Sequence, residues 1–205
     1  MDDRIRAVLG EYDARIDAEW KRLREQPPAG GLDQIRDQLL LAVGPDTGRL
    51  LNILARSLSK PQILELGTSY GYSGIWLGEA ARATGGRVTT MELADYKSKH
   101  AREMATKAGL AEFIEHKVGD AVKGIGELDF GIDFVLVDLW KDLYVPCLEA
   151  FYPKLNPGAI LVADNMRLPD PVAAKLYQQA VRAKRGMTSV TLPVGSGLEI
   201  SRFEP

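Results

Sequence analysis

The chain has 205 residues, is 45% hydrophobic and 26% charged, and sets 28 acidic against 26 basic side chains for a formal net charge of −2. This composition suits one soluble domain with a filled core, and without a basic stripe it disfavours nucleic acid or an acidic membrane surface as the main partner. The lone cysteine, Cys147, excludes an internal disulfide, and no apolar run nears the ~20 residues a bilayer span requires.

Residues 3–25 place Ile5, Val8, Leu9, Tyr12, Ile16, Trp20 and Leu23 at three-and-four spacing, the apolar stripe of a helix. "PPAGG" at 27–31 ends it. Residues 1–30 therefore read as an amphipathic helical appendage, packed on the domain or on a second subunit, and residues 31–205 as the main domain. The charged N-terminal stretch is unlike a signal peptide, so a cytoplasmic protein is expected. Further helices are predicted at about 33–42 and 46–58, the latter capped by Asp46 or Thr47.

From there the pattern alternates. Short apolar runs at 62–67, 87–93, 113–119, 133–139 and 158–164 are separated by helical spacing at 72–83, 94–108, 142–153 and 170–184. Such alternation predicts an α/β fold, a parallel sheet with helices on both faces. "TSVTLPV" and "LEISRF", joined by "GSG" at 195–197, read as a closing hairpin, so the last strand is expected to run antiparallel. In this architecture ligands collect at the carboxyl ends of the strands, near the switch in strand order. The residues that end each strand are therefore the candidate site.

The first strand runs into "ELGTSYGYSG" (65–74). A phosphate-binding loop needs Gly-Lys-Ser/Thr, and a dinucleotide fingerprint needs a second glycine two residues after the first. Here that position is Ser69, whose side chain would crowd a pyrophosphate, so the loop suits a nucleoside without phosphates. Glu92 ends the next strand and can accept both hydroxyls of a ribose. Asp120, in "VGDA", lies where an adenine edge would fall, although Asp after Gly also reads as a turn or cap. Asp138 ends the fourth strand and Asp164-Asn165 the fifth. If those strands are neighbours, two carboxylates and an amide oxygen converge, and all-oxygen ligation favours Mg²⁺. Zinc is disfavoured, because His100 and His116 lack ligand spacing and Cys147 stands alone.

"LELGTSYGYS", "TMEL", "VDLWKDLY", "LVADNMRLPD" and "GLEI" together resemble the catechol O-methyltransferases. These belong to the wider metal-dependent class I S-adenosylmethionine methyltransferases, which include the caffeoyl-CoA type. The resemblance runs from about Val43 to Glu199, and Trp140 points to the catechol branch.

It implies a Rossmann-like class I sandwich around a seven-stranded, mostly parallel sheet with an antiparallel last strand. It further implies S-adenosylmethionine and Mg²⁺ as cofactors, a small catechol or polyphenol as acceptor, and a monomer or homodimer. Asp138, Asp164 and Asn165 would hold the metal, and Lys141 would be the general base. Glu199 would bond a substrate hydroxyl. Val43, Glu65, Gly67, Ser69, Tyr72, Ser73, Glu92, Asp120, Ala121, Asp138 and Trp140 would line the cofactor site, with Leu39, Trp140 and Pro169 along the acceptor slot.

Two positions depart from the family's animal enzymes: Leu39 replaces a gatekeeper tryptophan, and Leu139 replaces a histidine after the first metal acid. Leu39 admits a larger caffeoyl-CoA-like or natural-product polyphenol as the alternative acceptor. A nicotinamide-dependent oxidoreductase shares the sheet architecture but is disfavoured by Ser69. The chemistry explains the residue types. A phenol has a pKa near ~10 and is a poor nucleophile when neutral, so it needs a metal to stabilise the phenolate and a lysine of lowered pKa to take the proton.

Overall fold

The computed structural model describes residues 1–28, 35–167 and 170–205. Seven strands form one sheet: β1 (Gln62–Leu66), β2 (Arg87–Glu92), β3 (Ile114–Val118), β4 (Ile132–Val137), β5 (Leu155–Ala163), β6 (Met187–Leu192) and β7 (Leu198–Phe203). Their order is β3-β2-β1-β4-β5-β7-β6. β1 pairs in parallel with both β2 and β4, β4 pairs in parallel with β5, and β7 runs antiparallel between β5 and β6. The predicted α/β sheet with an antiparallel last strand therefore forms. The strand order reverses between β1 and β4, which opens a crevice at their carboxyl ends.

The helices are α1 (Asp3–Glu25), α2 (Pro45–Arg56), α3 (Tyr72–Thr84), α4 (Asp95–Lys107), α5 (Ala121–Gly126), α6 (Tyr144–Phe151) and α7 (Pro171–Ala183). Period-two alternation divides the core between them. Phe134 and Leu136 of β4 point into a layer with α1 to α4, whereas Val135 and Val137 point into a layer with α5 to α7. Burial on both faces is why β4 reads as an unbroken apolar run.

Several boundaries differ from the sequence expectation, each for a local reason. The helix predicted at 33–42 is, over its described part, a 3₁₀ turn at Arg36–Gln38 followed by an irregular strap to Gly44. Tertiary partners take the backbone groups a helix would use: Leu40 N–H donates to Glu19, and Leu40 C=O accepts from Ser69. α2 is capped by Gly44, with Pro45 in its first turn, not by Asp46 or Thr47. α5, six residues long, is too short to leave a periodic signature.

α1 shares a core with the main domain. Ile5, Val8, Leu9 and Tyr12 are buried against the α3 and α4 side, while Trp20, on the same predicted stripe, is exposed. Burying an aliphatic side chain of this size contributes about 1.5–3 kcal/mol.

Candidate active site at the carboxyl edge of the sheet

The crevice is built by close approach of the β1 and β4 ends. Gly67 has φ +100°, and a Cβ there would collide with the Asp138 carbonyl. Asp138 N–H donates to Leu66 C=O (2.9 Å), and Asp164 N–H donates to Val137 C=O (3.1 Å). The register pair Val137↔Ala163 thus brings Asp138 and Asp164 side by side, one residue beyond the ladder. The condition on which the sequence reading rested, that these two strands be neighbours, is met.

Removal from water pushes the Asp138 carboxyl well above the usual range, and the adjacent Asp164 charge adds to this. Asp164 is raised to about 6, again by burial, with the Asn165 N–H and Lys141 opposing. No protein donor reaches the Asp138 side chain among the described residues. Asn165 has a left-handed backbone (φ +58°), which asparagine tolerates better than most residues. Its N–H donates to Asp164 Oδ1 (2.7 Å), and its Nδ2 lies 3.4 Å from Asp164 Oδ2. No cluster of three His, Cys, Asp or Glu side chains suited to a metal assembles among the described residues. The donors on offer are two carboxylates and the Asn165 amide. Paired acids that repel one another, with no soft ligand nearby, fit a hard divalent cation and not zinc.

Lys141 opens a 3₁₀ turn (Lys141–Leu143) immediately after Trp140. Its ammonium donates to Asp164 C=O (2.9 Å) and lies 3.5 Å from the centroid of the Tyr144 ring. The Tyr144 hydroxyl donates to the same carbonyl (3.2 Å). Burial lowers the Lys141 amine to about 8, against the pull of Asp138 and Asp164. Asp142 is exposed and does not cap α6.

Toward β1 and α3 the crevice is lined by Val43, Gly67, Ser69, Tyr70, Tyr72, Ser73 and Asp138. Glu65 lies beneath the first turn of α3, where a Cβ at Gly74 would sit 3.3 Å from its carboxylate. Burial raises Glu65 to about 7; the Ser73 and Thr90 hydroxyls lie close enough to oppose this, yet neither oxygen has a well-formed hydrogen bond. Glu92 accepts from Ser69 N–H (2.8 Å) and Ala94 N–H (3.0 Å). Asp120 is engaged as the cap of α5, accepting from Lys123 N–H (2.8 Å), with Ala121 opening the helix. Trp140 is 42% exposed, at the rim beside Lys141.

Two expected residues stand apart from this set. Glu199 lies within β7 and turns toward α7. Its oxygens accept from Arg182 Nε (2.7 Å) and Nη2 (3.1 Å), Gln178 Nε2 (3.1 Å) and Thr191 Oγ1 (2.5 Å). With its side chain fully buried among these donors, Glu199 is not open to a substrate hydroxyl. Leu39 is buried and does not line the crevice; Leu41 does, 48% exposed with a left-handed φ of +48°. Nothing in a Leu-Leu-Leu run tells which residue leaves the helical path. Pro169 lies outside the described residues.

Residues 33–197 match the model of a family described as O-methyltransferase. The chain is 32% identical over 178 residues to a probable O-methyltransferase of Mycobacterium tuberculosis, covering 82% of this chain and 74% of that protein. It is 35% identical over 130 residues to a catechol O-methyltransferase of the same organism, covering 62% of this chain and 57% of the relative. The O-methyltransferase TomG of Streptomyces achromogenes, involved in tomaymycin synthesis and solved with S-adenosylmethionine, superposes with a TM-score of 0.76. It is 25% identical and covers all of this chain and 91% of its own.

Proposed function

The chain belongs to the O-methyltransferase family, an S-adenosylmethionine-dependent group, and on that premise we propose that it methylates one hydroxyl of a catechol-type vicinal diol with Lys141 as general base. The observation that carries the reading is the place of the Lys141 amine, bonded to the Asp164 carbonyl (2.9 Å) where the acids Asp138 and Asp164 close neighbouring strands.

S-adenosylmethionine supplies a methyl group already activated by its sulfonium charge. Glu92 spends one lone pair per oxygen on backbone amides and has others left for the ribose hydroxyls. Glu65, buried without formed hydrogen bonds, offers a carboxylate to the amino group of the methionyl end. Val43, Gly67, Tyr72 and Ser73 flank that end. Asp138, Asp164 and Asn165 would hold Mg²⁺, which when bound supplies Lewis-acid charge that lowers the pKa of the acceptor hydroxyls.

Lys141 then takes the proton of the hydroxyl at Nζ. The oxygen forms its bond to the methyl carbon as the carbon–sulfur bond breaks, and sulfur keeps the electron pair. Tyr144 underlies the amine and, by sharing the Asp164 carbonyl, limits where Nζ can go. Leu41 and Trp140 would form the apolar walls that orient the ring. A larger polyphenol is the second reading, favoured by the modest size of Leu41 at the crevice wall.

Methyl transfer from S-adenosylmethionine to small catechols, larger polyphenols and monophenols, in Mg²⁺ and in excess EDTA, tests both. Turnover is expected on vicinal diols only, lost in EDTA and regained with Mg²⁺. Full turnover in EDTA, or equal turnover on a monophenol, would overturn the reading.

A further inference from the structure

The loop between β1 and α3 does not hold its shape unaided. Gly67, Ser69 and Gly71 all have positive φ (100°, 46° and 98°), and at Ser69 a side chain must tolerate it. That conformation aims the Ser69 N–H at Glu92 Oε2 (2.8 Å), the acid read as the ribose acceptor. The next residue, Tyr70, is gripped from outside the loop. The Tyr12 hydroxyl of α1 donates to its carbonyl (2.6 Å), and the Arg15 guanidinium lies 4.6 Å over its ring. His100 of α4 meets the ring edge-on at 5.4 Å, and the Tyr70 hydroxyl donates to Asp37 C=O in the 3₁₀ turn before the strap (3.0 Å).

α1 also reaches the far side of the loop. The Tyr72 hydroxyl donates to Asp13 Oδ1 (3.0 Å), and the Tyr12 and Tyr72 rings pack edge-on at 5.6 Å. Tyr12 is buried, which raises its hydroxyl pKa and keeps it a donor. The helix face that bears Tyr12 and Arg15 continues to Glu19. There Arg15 bonds Glu19 (2.8 Å) and Glu19 accepts from Leu40 N–H (3.0 Å). One face of α1 thus fixes both walls of the crevice, the glycine loop and the strap.

We propose that Tyr12, Asp13 and Arg15 of α1 are positioning residues of the cofactor site, acting through Tyr70 and Tyr72 to keep Ser69 against Glu92. The proposal rests on the reading of this crevice as the S-adenosylmethionine site. α1 is then part of the binding machinery and not an appendage.

The test is calorimetric titration of the full chain with S-adenosylhomocysteine, with steady-state kinetics alongside, for Tyr12→Phe, Asp13→Ala and the double variant. Val8→Ala is the control: it loosens the same helix in the core without removing a hydrogen bond to the loop. Each single variant is expected to weaken S-adenosylhomocysteine about three- to tenfold, the worth of one hydrogen bond, and the double variant more. KM for S-adenosylmethionine should rise more than kcat falls. Val8→Ala should lower Tm by about 5 °C and leave affinity unchanged below its transition. Wild-type affinity in both Tyr12→Phe and Asp13→Ala would overturn the proposal. So would an equal loss in Val8→Ala, which would mean that the helix acts only through stability. Wild-type protein that binds no S-adenosylhomocysteine would overturn the cofactor reading, and the proposal with it.

Discussion

Lys141 is held between opposing influences. Burial favours the neutral amine, and the charges of Asp138 and Asp164 favour ammonium; burial is the larger, and the balance falls at about 8. A protonated amine cannot accept the acceptor's proton, so turnover is expected to rise with pH through about 8 and to level off above it. Lys141→Met should remove that limb and cost about 10²–10⁴ in kcat, with S-adenosylhomocysteine affinity nearly intact by calorimetry. Normal kcat in this variant would reject Lys141 as the base. At the crevice wall, Leu41→Ala should raise the acceptor KM, since Leu41 and not Leu39 lines the crevice. The position of Lys141 beside Asp164 was legible because its motif is contiguous with a strand end. Leu41 was not, because its exposure comes from bonds that Leu40 makes to Glu19 and Ser69.

Among the elements, β6, β7 and α7 form a unit with its own polar centre. Glu199 has a fully buried side chain (0%) and leans on Arg182, which is half exposed (49%). Removing the arginine leaves a buried carboxylate with only Gln178 and Thr191 as donors. Arg182→Ala should therefore destabilise the protein by about 1–2 kcal/mol, measured by urea unfolding, well below the loss for a fully buried pair because water reaches the guanidinium. The period-two rule explains why Glu199 points away from Asp138 and Asp164: Leu198 enters the layer of α1 to α4, so Glu199 turns to the opposite face, with α7. That alternation was readable in "LEISRF", but which helix waits on that face was not.

For the whole molecule, His116 is a group whose burial ties stability to pH. His116 sits in the edge strand β3 with both ring nitrogens buried and unpartnered, and burial, aided by Arg102, lowers it to about 4 from an ordinary 6.5. Between those values the unfolded chain binds a proton that the folded one refuses, so this group's stability is present above pH 6.5 and lost as pH falls toward 4. Glu65 and Asp164, raised to about 7 and about 6, act with the opposite sign, their stability being lost as pH rises toward those values. Wild-type protein should thus lose stability relative to His116→Gln as pH falls from about 6.5 to about 4, followed by urea unfolding at each pH. An unchanged difference across that range would exclude His116. The sequence by itself determined the α/β alternation, the antiparallel end of the sheet and the acids that close β4 and β5, because periodicity and strand ends are local properties. The tertiary structure alone decided that Glu199 pairs with Arg182, that Leu41 faces the crevice, and that α1 grips the glycine loop. Tyr12 and Tyr70 are 58 residues apart, and a contact across that distance exists only after helix, strap and loop have packed on the same sheet edge.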